Sequence, residues 1–281
     1  MKGIDFMKRT VLGIFALCFV TVAAISIFQL SLIASTYGKG AQAYDNLTQF
    51  VTDAPKQSST PNLTKQSSAG TDLQEQINTL ADSYESPKSK LTIPFPTVDF
   101  DGLGAINSDV AAWLILEGSQ INYPVVHAAD NVFYLNHTFD GTANGVGTLF
   151  IDSNNASGFA DQNTIIYGHH MKDGSMFADL LSYQSQAYFE KNPQMLLLTP
   201  EGNYLLELFA AYTADVTANS WKRTFDDEAS FSAWIAEAKE LSDFISDVDV
   251  LPTDRVVTLS TCSYSFENAR YVVVGRLVRV S

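Results

Sequence analysis

Cysteine is almost absent: the 281 residues hold two, Cys18 and Cys262. Cys18 falls inside an apolar run, so the chain beyond that run has one thiol and can close no internal disulfide. That excludes a disulfide-stapled secreted scaffold, and a lone thiol kept in an oxidising compartment favours a chemical use for it. Positive charge is scarce as well. Lys and Arg number 17 against 31 Asp and Glu, a net charge of −14, and such a surface repels nucleic acid and anionic headgroups, so neither is expected as a ligand. There are only four His, and no Cys, His or carboxylate grouping with metal-site spacing, so neither a metal nor another cofactor is expected. No internal repeat is visible. With 46% hydrophobic residues the chain can bury one sizeable domain with appendages.

One long uncharged run is present. Val11 to Ala34 is rich in Val, Ile, Leu, Phe and Ala and is long enough to cross a bilayer as a helix. Lys2, Lys8 and Arg9 precede it against a single Asp5, and only Lys39 follows closely. The positive-inside bias therefore puts residues 1–10 in the cytoplasm and everything after the span outside. A cleaved signal peptide with Ala34-Ser35-Thr36 as its cleavage site is the competing reading. Its apolar region is normally about 7–15 residues, shorter than this one, which favours an uncleaved anchor over 11–34.

Residues 35–70 read as a flexible stalk, since 53–70 is rich in Ser, Thr and Pro with little to bury. Thr71-Asp-Leu-Gln74 has the form of a capping box, and Leu73, Ile77, Leu80 and Tyr84 recur at helical spacing, which predicts a helix over 72–85 within an N-terminal helical segment, 71–94. From residue 95 to 281 the composition is globular. Strand composition appears at Ala112–Glu117, Ile121–Val126, Gly147–Asp152, Thr164–Tyr167, Met195–Thr199, Tyr204–Tyr212, Val256–Thr261 and Tyr271–Val280. Pro124 argues for an edge or a bulge in the second of these, and Pro200-Glu-Gly-Asn203 is a hairpin turn. Helices are expected near Met176–Tyr183 and over about Asp227–Ile245, the latter with Phe231, Trp234, Ile235, Ala238, Leu241, Phe244 and Ile245 on one face. The result is a mostly β, barrel-like domain with peripheral helices.

Two stretches carry chemistry. In Thr258-Leu-Ser-Thr-Cys262 the thiol ends a buried strand beside a polar loop, and Arg270 opens the next strand, where it can lie beside the sulfur. The bland reading is a buried apolar Cys. In Asn163-Thr-Ile-Ile-Tyr-Gly-His169-His170 a buried strand ends at Tyr167, Gly168 permits a sharp turn, and two imidazoles follow. Imidazole exchanges protons near neutral pH, as a thiol nucleophile requires. A His pair at a strand end can equally be a surface feature, and vicinal His point apart, which argues against a shared metal.

These stretches, with Ile121-Asn-Tyr-Pro-Val-Val126, Asn131-Val-Phe-Tyr-Leu-Asn136, Gly147-Thr-Leu-Phe-Ile-Asp152, Ser175-Met-Phe177 and Arg270-Tyr-Val-Val-Val274, resemble the class B sortases in content and order over residues 95–281. The resemblance implies an eight-stranded sortase β-barrel with an N-terminal helix and a long helix before the penultimate strand. It also implies a membrane-anchored cysteine transpeptidase of the Gram-positive cell surface, which cleaves a sorting signal after Thr and passes the protein to an amine. Residue by residue, Cys262 matches the nucleophile, His169 the general acid/base and Arg270 the oxyanion-stabilising arginine, with His170 and with Arg276 and Arg279 as the alternatives. Asn131, Leu135, Tyr167 and Ser260 match the peptide groove, and Ser220 and Trp221 fall where the family recognises its sorting signal. The partners implied are a surface protein bearing that signal and either a peptidoglycan precursor or a pilin lysine as acceptor. Asn-Pro-x-Thr is the family norm for the signal; this chain has Asn219-Ser220-Trp221 where relatives carry Tyr and Ile, and Ser-Pro-x-Thr or a pilin-type signal stays open. From the residues alone a secreted cysteine protease is the competing enzyme class, and an anchored scaffold with an inert Cys the competing non-enzyme.

Overall fold

The computed structural model describes residues 2–52, 95–262 and 268–280, with backbone alone for 2–18 and Cys262. Residues 1–51 and 98–281 make one compact unit; Thr52–Thr97 is a second, nearly all of it outside the described residues, and so are the helix expected over 72–85 and the stalk sequence 53–70.

The first unit is built on a closed barrel of eight strands: β1 Val110–Ile115, β2 Asn122–Val126, β3 Leu149–Ile151, β4 Asn163–Tyr167, β5 Gln194–Thr199, β6 Gly202–Asp215, β7 Val256–Cys262 and β8 Ala269–Arg279. Around the barrel the order is β8-β6-β5-β1-β2-β3-β4-β7. Two pairings are parallel, β2 with β3 and β4 with β7, and the rest antiparallel. The β-branched run of β7 is buried from Val256 to Thr261 because β4 and β8 flank it and closure leaves it no free edge. Within it Thr258 Oγ1 donates to Asn163 Oδ1 at 2.9 Å.

Pro124 lies inside this barrel, not on an edge. Its missing N–H is tolerated because β3 is short and its ladder with β2 begins only at Val125; the register shift lies on the partner strand, between Val110 and Ala112. The β5–β6 turn falls at Pro200-Glu201, with Thr199 paired to Gly202.

Helix α1 runs Lys2–Asp45. It carries the apolar span, and its last turns correct the expectation of a stalk starting at residue 35. Tyr44 is buried, its hydroxyl donating to the Gly147 carbonyl, and Gly40 packs so tightly on Val146 that a Cβ would lie 2.6 Å from Val146 Cγ2. Those partners sit a hundred residues away in sequence and hold the helix where local composition reads as linker. Helix α2, Phe100–Ile106, is capped by Asp99, which accepts from Gly102 N.

Between β4 and β5 the expected helix is a 3-10 helix, Ala178–Gln184, followed by α3, Gln186–Lys191. Helix α4 covers Glu228–Leu241, opened by a capping box between Asp227 and Ser230. Phe231, Trp234, Ile235 and Ala238 pack on Phe209, Tyr212, Val256, Val272 and Val274. The helix stops four residues before the expected Ile245. Ser242 turns extended and its Oγ accepts from Ala211 N at 3.1 Å, while Asp243 N donates to Ala211 O at 2.7 Å, so the edge of β6 draws the chain out of the helix. Leu241 and Ile245 consequently face solvent, whereas Phe244 remains buried against Phe189.

Candidate active site

The C-terminal ends of β4 and β7 lie side by side. Tyr167 is the Cα partner of Ser260 in the parallel β4–β7 ladder, and Gly168 N extends the pairing with a 3.1 Å bond to Ser260 O. On the other side of β7, Cys262 is the Cα partner of Arg270. Antiparallel partners have Cα atoms about 4.5–5.5 Å apart, so the backbone sets the thiol-bearing residue against the arginine.

Gly168 is what lets the chain pass to His169. A Cβ there would lie 2.4 Å from Leu149 Cδ2 and 2.6 Å from Phe177 Cδ2, closer than real Cβ contacts come. His169 then enters a cavity of about 250 Å³ lined by Asn131, Leu135, Phe150, Tyr167, Gly168, His169, Ser260, Thr261 and Arg270. Its Nε2 lies 2.7 Å from Leu135 O; a carbonyl only accepts, so this nitrogen carries the hydrogen and the ring orientation is set. Gly147 backs onto the same ring from a left-handed conformation (φ +66°), where a Cβ would meet Tyr134 O, Leu135 O and His169 Cδ2 at 2.7, 2.9 and 3.0 Å.

A polar network forms the cavity's wall. Asp152 Oδ2 accepts from Tyr167 OH (3.0 Å) and Asn131 Nδ2 (3.2 Å), while Oδ1 accepts from Asn154 N (2.9 Å) and Asn154 Nδ2 (3.1 Å). Asn131 Oδ1 accepts from Ser153 N. Burial opposes the Asp152 charge, but the Asn154 and Tyr167 hydrogen bonds and the nearby Arg223 cation outweigh it and hold the carboxyl below its ordinary pKa. Burial, and then the Asp152 charge, push the Tyr167 phenol well above its ordinary value, with Arg223 and Arg270 pulling the other way. Tyr167 is therefore a neutral donor fixed on Asp152.

Of the residues singled out in the sequence, the cavity unites Asn131, Leu135, Tyr167, His169, Ser260 and Arg270, and Cys262 follows directly on its Thr261. Trp221 is connected to it through Nε1, which donates to Ser260 Oγ at 3.2 Å. Ser220 is not brought there. It is buried, bonded to Tyr212 OH at 3.1 Å, and opens onto a different cavity beside α4, because the 3-10 turn Asn219–Trp221 turns it toward the core. The alternative residues fall elsewhere: His170 bridges to Met176 away from the cavity lining, Arg276 pairs with Glu207 at 2.6 Å, and Arg279 reaches Glu201 O at the β5–β6 turn. Asp152 and Phe150 were missed. The end of a strand rich in apolar residues was the available signal for Asp152, since a carboxylate there needs partners. Among the described residues there is no cluster of three or more His, Cys, Asp or Glu able to hold a metal.

A model of the sortase domain matches residues 114–278, and sortase B of Listeria monocytogenes is 36% identical over 178 residues, covering 63% of this chain and 72% of that protein. The chain belongs to the sortase family, in its class B. Sortase B of Staphylococcus aureus is likewise 36% identical over 184 residues, 65% of this chain and 75% of the relative. The fold agrees with solved sortases. The Staphylococcus aureus sortase B–substrate complex superposes with a TM-score of 0.62 at 36% identity, over 65% of this chain and 85% of that one. Sortase B of Clostridium perfringens does so with a TM-score of 0.61 at 32% identity, over 64% of this chain and 99% of that one. As a sortase, the chain is a cysteine transpeptidase. Sortases act on proteins bearing sorting signals and on cell-wall amine acceptors at the cell surface, and the one apolar helix found among the described residues, from Phe19 onward, is long enough to cross a membrane.

Proposed function

We propose that this sortase cleaves an Asn-Pro-x-Thr-like sorting signal after Thr, holds the protein as a thioester on Cys262, and transfers it to a peptidoglycan amine. The observation that carries the reading is the shared cavity of His169 and Arg270, with Cys262 following its Thr261 and standing in register with Arg270. Cys262 lies two residues beyond Ser260 in β7.

In the first half-reaction the Cys262 thiolate attacks the Thr carbonyl carbon. The C–S bond forms, and the carbonyl electrons move to oxygen, where the Arg270 guanidinium donates to the oxyanion. Collapse breaks the C–N bond, and the departing amine takes a proton from His169. Because Nε2–H is committed to Leu135 O, Nδ1 is the nitrogen that gives this proton and later takes one from the incoming amine. That amine attacks the thioester and restores the thiolate. Asn131, Leu135, Tyr167, Ser260 and Trp221 contact or shape the bound peptide, Tyr167 and Asn131 being held by Asp152. The excess of Lys and Arg before the apolar run supports a cytoplasmic N-terminus and an extracellular catalytic domain.

The test is mass spectrometry of the full-length protein incubated with a panel of Asn-Pro-x-Thr, Ser-Pro-x-Thr and pilin-type peptides, with and without triglycine or a lysine peptide. The expected result is an acyl adduct on Cys262 that the amine discharges as a ligated product, and none with Cys262→Ala. An adduct lost at the same rate with or without amine identifies a hydrolase, preference for the lysine peptide identifies a pilin polymerase, and turnover by Cys262→Ala overturns the reading.

A further inference from the structure

The last turns of α1, which lead out of the apolar span, grip the backbone that supports His169. Three contacts converge on residues 144–148: Asn144 Nδ2 donates to Thr36 O at 3.2 Å, Gly40 packs on Val146, and the buried Tyr44 hydroxyl donates to Gly147 O and lies 3.0 Å from Thr148 Oγ1. The gripped segment is tied to the site by short steps. Thr148 N donates to Tyr134 O at 2.9 Å, Thr148 Oγ1 donates to His137 O at 2.8 Å, and Gly147 leaves no room for a Cβ between its backbone and Tyr134 O, Leu135 O and the His169 ring. Leu135 O is the acceptor that fixes His169 Nε2.

We infer that Tyr44 is a positioning residue for His169: its hydroxyl, carried on the helix that leaves the apolar span, fixes the Gly147–Thr148 backbone against the imidazole and its Leu135 acceptor. This rests on the reading of His169 as the proton-transfer group. Tyr44 touches no reacting atom. Its ring packs edge-on against Tyr123 at 5.1 Å, so Tyr44→Phe keeps the packing and removes only the hydroxyl. Without that anchor Gly147 and the Leu135 carbonyl relax from the ring, and the imidazolium loses part of a charge-assisted acceptor. Both the alignment and the proton affinity of His169 decline together.

The experiment uses the full-length protein in lipid nanodiscs, with the sorting peptide that best acylates Cys262. For Tyr44→Phe the expected result is a lowered Tm with the fold retained, since the Gly147 carbonyl loses its donor, a kcat about tenfold lower at unchanged KM, and an alkaline limb of kcat/KM displaced to lower pH. The NMR titration of His169 should move the same way without any substrate. Gly40→Ala, which pushes the helix off Val146 and leaves the hydroxyl in place, should give the same split in smaller measure, and it carries the test if Tyr44→Phe does not fold. His169→Ala separates the two readings. If it turns over like the parent, the assignment of His169 falls. If it is inactive while the Tyr44 and Gly40 variants keep the parental kcat, pH profile and His169 titration, the positioning role alone is overturned.

Discussion

Cys262 and Arg270 are Cα partners, the last pair of the β7–β8 ladder. The register runs unbroken from Val256–Arg276 to this pair, and Val256–Thr261 and Tyr271–Val274 are buried on both faces, so a one-residue slip would exchange the two packed faces of the strands. The ladder thus sets the arginine's backbone at the cavity that its side chain lines. Arg270→Ala should fold with a near-parental Tm and lose about a hundredfold or more in acylation rate, the usual cost of one oxyanion donor. Arg270→Lys keeps the charge without the planar fork and should fall between the two. Stopped-flow acylation beside thermal melts reads both.

Gly168→Ala tests how the imidazole is delivered. The added methyl meets Leu149 Cδ2 and Phe177 Cδ2 inside ordinary contact distance, and overpacking of this kind costs about 1–3 kcal/mol. Phe177 N donates to His169 O at 2.9 Å, so a displaced Phe177 takes the His169 backbone with it. The Tm and kcat should therefore fall together, and Leu149→Val in the same chain should restore both more than additively, a coupling that a double-mutant cycle measures.

How much of this was legible in the sequence follows the range of the interactions. The strands that carry the site were legible because β-branched runs such as Val256–Thr261 and Tyr271–Val274 announce burial locally, and Tyr167-Gly168-His169 states its turn in three residues. The placement of Ser220 outside the His169 cavity was not legible, because sequence proximity to Trp221 says nothing of which side of a 3-10 turn faces the core. The end of α4 was misread because Leu241, Phe244 and Ile245 continue a helical period that Ala211, on another strand, interrupts. The last turns of α1 were misread as linker since their partners, Gly147 and Thr148, supply no local pattern.

Asp152→Asn should loosen the groove and change the acid response. Four donors converge on the two carboxylate oxygens, whereas an amide offers one acceptor oxygen and turns two hydrogens toward donors, leaving part of the set unmatched at about 1–3 kcal/mol. The Asp152 pKa is lower in the folded chain than its ordinary value. Its contribution to stability is therefore complete above the ordinary carboxylate range and is lost as pH falls through the depressed folded value. The parent should lose stability across that acid window more steeply than Asp152→Asn, which a series of urea melts at stepped pH resolves.

Trp221 is tied to the cavity by the bond from Nε1 to Ser260 Oγ, while its ring packs partly buried against the α4 core cluster. Trp221→Phe keeps an aromatic ring on that cluster and removes the only indole donor to Ser260, whose hydroxyl is then able to reorient within the cavity. A neutral hydrogen bond of this kind is worth about 0.5–1.5 kcal/mol, so KM for the preferred sorting peptide should rise about threefold to tenfold, with kcat close to the parent because His169 and Arg270 are untouched. Ser260→Ala should produce the same shift, and the double variant should be no worse than either single one, since both remove one interaction. Competition between Asn-Pro-x-Thr and Ser-Pro-x-Thr peptides gives the discriminating readout. If Trp221 shapes recognition, their ratio of kcat/KM changes in Trp221→Phe; a ratio that stays constant while both rates fall assigns Trp221 to packing alone.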